Sequence, residues 1–312
     1  MNTALAPVQQ SYWKRLKRNY QKHAAMYWIA LPVVLYYIIF KYIPMFGVVI
    51  AFQEFRPGLG FLGSKWVGFK HFVDFLTNPV ATRTIWNTLR ISFKSLIFGF
   101  PAPIILALLL NEIRFAPFKK TVQTLSYMPH FISTVVICGM IKEFTLSTGV
   151  ITDLLVMFGL ERQALMANVE FWDPIYVFSG IWQQIGWGSI LYLATLSGTD
   201  PNLYEAAVID GAGRWKQALH VTLPTLVPII ILQLIMRVGS MMSVGHEKTI
   251  LLYTPLLYSK ADVISSFVYR RGLQEMSFSF GSAVGLFNSA VNLTLLVFSN
   301  WFSRKVSGES MW

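Results

Sequence analysis

Six stretches of about twenty mostly apolar residues divide this 312-residue chain, and they limit its fold more than any other feature. They cover residues 26–52, 88–111, 122–144, 174–196, 225–244 and 280–302. A helix of that length crosses the hydrocarbon core of a bilayer, where every backbone N–H must find its partner within the same segment. Composition points the same way. Charged residues are 13% of the chain, against about 25% in soluble domains, and the mean hydropathy is +0.50. An ordinary soluble enzyme and a disordered chain are both excluded. The expected fold class is an all-α integral membrane protein with about six transmembrane helices in one domain, residues 26–302. Some spans are imperfect: Lys41 and Pro44 interrupt the first, Arg90 and Lys94 open the second, and Arg237 lies inside the fifth.

Six crossings put both termini on one side. The segment 1–25 carries Lys14, Arg15, Lys17, Arg18 and Lys22, and no small-x-small cleavage site follows its apolar run. It reads as a retained anchor rather than a removed signal. Lys and Arg number 12 on the terminal side and 10 on the other. The basic cluster and the shorter loops of the terminal side make that side cytoplasmic, with 303–312 as a cytoplasmic tail. The net charge of +11 then belongs to membrane ends, and nucleic acid is not an expected partner. On the outer side, 53–87 holds GLGFLG and many aromatics, and 149–168 reads as a short amphipathic helix.

The residues offer little covalent chemistry. There is one cysteine, Cys138, the five histidines are scattered, and GxxxxGK[ST], HExxH, CxxC and GxSxG are absent. No catalytic or metal site is expected. With Glu143, at the end of the third stretch, counted with the outer segment, no carboxylate lies inside a span, which weakens the rival reading of an ion-coupled secondary carrier. The spans do carry amides and aromatics, which suit sugar hydroxyls and ring faces. Gln183 and Trp187 are four residues apart in the fourth span, as are Asn288 and Asn292 in the sixth. These four are the candidate substrate path, and amides that bridge helices are the competing explanation.

The most specific signal is YEAAVIDGAGRWKQALHVTLP at 204–224. Asp200 and Pro201 suit a helix start, and Gly211 and Gly213 permit a left-handed turn that ends a short helix. Residues 214–219 can form a second short helix, with Pro224 starting the next span. The loop resembles the EAA loop of type I ABC importer permeases: EAA, three residues, Gly, nine residues, an aliphatic, any residue, then Leu-Pro. Every spacing matches, and Val221 stands where Ile is commoner. FKYIPMFG (40–47), NTLRIS (87–92), ALLLNE (107–112), YMPHF (127–131) and ADVISSFVYRRG (261–272) are similar to the branch that handles oligosaccharides and polysaccharide fragments.

The resemblance implies a permease subunit, not an enzyme, forming the sugar path of an ATP-driven importer. Its implied partners are a second related permease, two ATPase subunits that carry ATP and Mg, an extracytoplasmic sugar-binding protein and the bilayer, with no cofactor in this chain. It implies that loop 199–224 couples to the ATPase. Glu205 would offer a charge, Ala206 and Ala207 close approach, and Gly211 the angle between the helices. Asp210, Leu223 and Pro224 complete the expected coupling set.

Overall fold

The computed structural model describes residues 12–312 and is helical throughout, apart from one two-stranded ribbon. Residues 1–11 of the expected basic segment 1–25, and the side chains of Lys14 to Arg18, lie outside the described residues. Four helices among the described residues are long and apolar enough to cross a membrane: Asn19–Phe52, Pro79–Glu112, Arg214–Gly239 and Phe278–Ser307. The segment expected at 174–196 is the helix Trp172–Ser197. Its 26 residues reach about 39 Å, enough to cross, while Ser179, Gln183, Gln184 and Ser189 lower its hydropathy.

The segment expected as one straight span at 122–144 is broken. Ala116–Phe131 and Thr134–Phe144 meet at an angle of 100°. The break follows from local chemistry. Pro129 opens a 3-10 turn, Ile132 is extended, and the Ser133 hydroxyl caps the new helix by accepting from the Val136 N–H at 3.4 Å.

Prolines elsewhere do not end helices. Three of the four π-turns among the described residues, Ile38–Tyr42, Ser95–Gly99 and Ala218–Thr222, stop two residues before a proline: Pro44, Pro101 and Pro224. Proline lacks an N–H, and its ring crowds the carbonyl four residues back. A widened turn moves that carbonyl aside and lets the helix continue. The helical path therefore runs unbroken from Arg214 to Gly239. The second short helix, Arg214–Gln217, leads directly into the fifth span, which does not begin afresh at Pro224.

The spans pack in pairs. Pro101–Glu112 lies along Trp172–Ser197, and Leu223–Gly239 lies along Phe278–Ser307. Two glycines set the closest approaches on the fourth span. A Cβ at Gly186 would sit 2.0 Å from the Ser126 carbonyl oxygen, and one at Gly188 would sit 2.9 Å from the Pro103 ring. Gly281 meets Gly272 in the same way, whereas Gly285 faces open space. The first span has no buried residue in its apolar window, so its side chains face lipid or another chain.

Between the first and second spans, Gln53–Glu54 pairs antiparallel with Lys65–Trp66. The Phe55 N–H donates to Ser279 Oγ at 2.9 Å and ties this ribbon to the start of the sixth span. Gly149 precedes the short helix Val150–Met157.

Candidate functional site

Two places in this framework carry the expected chemistry: a cavity beside the fourth span, and the exposed helix at Pro201–Ile209. The cavity, about 890 Å³, is bounded by the second, fourth and fifth spans and by the segment after Gly245. Gln183 and Trp187 both line it, and so do Gln184, Tyr192, Gln233 and Arg237. Trp187 is held rigidly. Its ring stacks on His130 with centroids 4.3 Å apart and planes 4° from parallel, while His130 Nδ1 lies 3.1 Å from Gln184 Oε1. His130 sits just before the break in the third segment, and Gly186 lets that segment approach, so the two features together build this side of the cavity.

Asn288 and Asn292 lie elsewhere, outside the cavity lining. The Asn292 carbonyl oxygen accepts from the Met242 N–H at 2.9 Å, and its amide donates to Ser243 Oγ at 2.8 Å. It thereby stitches the sixth span to the turn after the fifth. Asn288 Oδ1 is buried with no protein partner. Asn292 is thus spent on a contact within the bundle and Asn288 lines no cavity, whereas the amide–indole pair at the same spacing faces space.

Two cations join the lining. Arg237, in the last turn of the fifth span, has no carboxylate within ion-pair distance among the described residues. Lys248 lies between the fifth and sixth spans, in the helix His246–Leu252. Its ammonium donates to the Tyr176 carbonyl at 2.8 Å and lies 4.6 Å from the centre of that tyrosine ring. Burial pulls the Lys248 pKa down to about 8. The sequence marks Arg237 only as a basic residue inside the fifth span, and it does not single out Lys248. The missed signal was a lysine in a short turn between apolar spans.

A separate ion cluster ties the second span to the start of the fourth. Asp173, almost fully buried, is 3.0 Å from Arg90 Nε and 2.6 Å from Lys94 Nζ. Arg90 also donates to the Lys260 carbonyl at 2.7 Å, and Lys260 pairs with Glu170. The two basic residues that blemish the second span are therefore neutralised by a carboxylate at the start of the fourth. Loss of Asp173 would leave two cations without their counter-charge, at a cost of about 3–5 kcal/mol.

The loop at 199–224 is shaped by its own residues. The Asp200 side chain caps the helix Pro201–Ile209 by accepting from the Asn202 N–H at 3.0 Å. Gly211, at φ +74°, ends it, and the Ala212 N–H returns to the Ala207 carbonyl at 2.8 Å. Gly213 has an ordinary negative φ and precedes the next helix. Tyr204 Oη lies 3.1 Å from Thr222 Oγ1, and Gln217 donates to the Ala212 carbonyl at 2.7 Å. The first contact fastens the short helix to the π-turn before Pro224, and the second ties the helix Arg214–Gln217 to the glycine turn. Glu205, Ala206, Asp210, Gly211 and Pro224 are exposed, while Ala207 and Leu223 are half-buried. Leu203, Val208, Ile209 and Trp215 also stand exposed, an apolar surface at the end of a bundle that nothing among the described residues covers.

Known proteins share this arrangement. The family model for the binding-protein-dependent transport system inner membrane component matches residues 99–308. The chain is 42% identical over 300 residues to the polygalacturonan/rhamnogalacturonan transport system permease protein YteP of Bacillus subtilis (strain 168), covering 96% of this chain and 94% of that one. It is also 42% identical over 287 residues to protein LplB of the same organism, covering 92% and 90%. A bacterial alginate ABC transporter, solved with an alginate pentasaccharide-bound periplasmic protein, contains a chain that superposes with a TM-score of 0.87 at 40% identity, covering 95% of this chain and 100% of that one. These likenesses give no support to an ion-coupled carrier. The chain belongs to the family of binding-protein-dependent transport system inner membrane components, as a membrane-spanning permease of the ABC importer class.

Proposed function

We propose that this chain forms half of the translocation path of an importer for oligosaccharides or polysaccharide fragments, and that a separate ATPase drives it through the Pro201–Ile209 helix. The observation that carries the reading is the uncovered end of the bundle at 200–224. There a capped helix, a glycine turn at φ +74° and a proline-adjacent π-turn make a rigid lever joined to the fifth span. Ala206 and Ala207 allow a partner's backbone to approach, Glu205 and Asp210 present charge, and Tyr204 passes any displacement to Thr222. Leu223 and Pro224 then transmit it to the span. YteP and the alginate transporter support the sugar class.

On this reading the uncovered first span packs against a second, related permease, and an external binding protein delivers sugar to the outer side. Two ATPase subunits bind ATP and Mg beneath the lever. The N-terminus, the loop 199–224 and the tail 303–312 are cytoplasmic. Gln183 and Trp187 touch the passing sugar, the amide through its hydroxyls and the indole through its ring face. The transport cycle is a shift between outer-open and inner-open populations set by the ATPase.

Glu205→Lys and Gly211→Pro test the lever, the second because proline cannot adopt a positive φ. In vesicles with the assembled transporter, both should abolish sugar uptake and its stimulation of ATP hydrolysis while complex yield is retained. Normal uptake in both variants would reject the coupling role.

A further inference from the structure

The fourth-span cavity carries more positive charge than a path for neutral sugars needs. Two cations line it, Arg237 from the last turn of the fifth span and Lys248 from the helix after Gly245. Both flank Tyr176. Lys248 lies over its ring, and Arg237 lines with it a smaller adjoining cavity of about 150 Å³. One carboxylate, Glu247, shares the lining, but it is exposed and no ion pair joins it to either cation.

Some basic side chains are neutralised in place, and most of the unpaired ones, Arg237 among them, stand exposed. Arg90, Lys94, Arg162, Lys260, Arg270 and Arg271 each lie within 4.0 Å of an acid. The cavity cations do not. The helix C-terminus favours Arg237, and the Tyr176 carbonyl accepts one proton of Lys248, but neither contact supplies a full counter-charge. An ammonium held partly out of water without a carboxylate costs free energy, and burial accordingly lowers the Lys248 pKa. Such a group is retained most readily where a ligand brings the missing charge. Amides alone would serve a neutral sugar, and the cavity already has three: Gln183, Gln184 and Gln233.

We propose that Arg237 and Lys248 form an anion subsite in the translocation cavity, and that the transported oligosaccharide carries carboxylates, as a uronic acid chain does. Arg237 offers a planar fork to a carboxylate, and Lys248 offers a point charge. Trp187, held by its stack on His130, presents an apolar face to a sugar ring in the same cavity. The proposal rests on the reading that this cavity is the sugar path.

The test uses the assembled transporter in nanodiscs and two fluorescent probes that differ only in charge: a trigalacturonate and its fully methyl-esterified form. Equilibrium binding is measured for wild type, for R237Q/K248Q and for R237K/K248R, at low and high salt. Wild type should bind the acid at least tenfold more tightly than the ester, with the preference shrinking as salt is added. R237Q/K248Q should bring the ratio near one, and R237K/K248R should keep most of it. Because the readout is a ratio within each preparation, a lower yield of either variant does not mimic the result.

Equal binding of both probes by wild type, binding of neither, or a preference that survives in R237Q/K248Q would overturn the proposal. The underlying reading is tested separately, by uptake of a panel of neutral and acidic oligosaccharides into vesicles. No uptake of any of them would reject the sugar path itself. Uptake of neutral sugars combined with equal probe binding would reject only the anion subsite.

Discussion

Replacing Gly186 with alanine should damage this protein far more than a one-carbon change usually does. The added Cβ would lie 2.0 Å from the Ser126 carbonyl oxygen, 2.3 Å from its carbon and 2.8 Å from the Tyr127 nitrogen. Comfortable contact lies near 3.5 Å, so the closest approach is short by roughly 1.5 Å. All three obstructing atoms are backbone, and no rotamer change clears them. The helix Ala116–Tyr127 must shift as a body. Overpacking of this kind costs about 1–3 kcal/mol, and the separation puts it at the upper end, partly offset by the gain of about 1 kcal/mol when alanine replaces a helical glycine. A net loss of about 2 kcal/mol lowers the folded-to-unfolded ratio roughly 30-fold. Gly139→Ala and Gly285→Ala are the controls, since nothing lies within 4 Å of an added Cβ at either position and both are helical. Thermal unfolding of the purified transporter in nanodiscs should separate Gly186→Ala clearly from these two, which should be neutral or slightly stabilised. Uptake should fall with it, because the same crossing holds His130 against Trp187. If Gly186→Ala unfolds together with Gly139→Ala, the fourth span does not approach the third as closely as argued.

Other expectations can be checked with simpler variants. With Cys138 replaced, Asp210→Cys should resist a membrane-impermeant thiol reagent added from outside intact cells, and labelling there would reverse the topology. Gln183→Ala and Trp187→Ala should each reduce uptake severalfold at near-normal complex yield. A loss of assembled complex in proportion to uptake would make them packing residues instead. Lys248 holds its proton less tightly in the folded chain, with a pKa near 8, than its ordinary 10.5, so the unfolded state binds more protons between those values and this group's contribution to stability rises with pH across that window. Tyr176 and Cys138 face it from neighbouring helices, and Arg237 and Glu247 share its cavity. Lys248→Met should therefore stabilise the protein most below pH 8, with the advantage over wild type fading toward pH 10. An advantage independent of pH would mean that the ammonium is not held out of water.

The limits of the sequence reading lie where one-dimensional patterns hide a choice between partners. Apolar length was legible because hydrocarbon thickness acts on each segment separately. The Asp200 cap and the Gly211 turn were legible because both depend on residues a few positions apart. Proline was read too literally. Pro44 and Pro224 looked like interruptions, yet a π-turn two residues before each keeps the helix going, and no sequence signal separates a break from a widened turn. Pro129 did break its helix, because Ser133 stood ready to cap a new one. Polar spacing was equally ambiguous. Gln183 and Trp187 share the four-residue step of Asn288 and Asn292, and only the neighbouring elements decide that the first pair faces a cavity while Asn292 bonds the turn after the fifth span. Charge followed the same logic. Arg90, Lys94 and Arg237 are alike in sequence as basic residues in apolar runs. The first two meet Asp173, about eighty positions away, and are silenced by it. Arg237 meets no acid among the described residues and opens onto the cavity, so its charge remains available there.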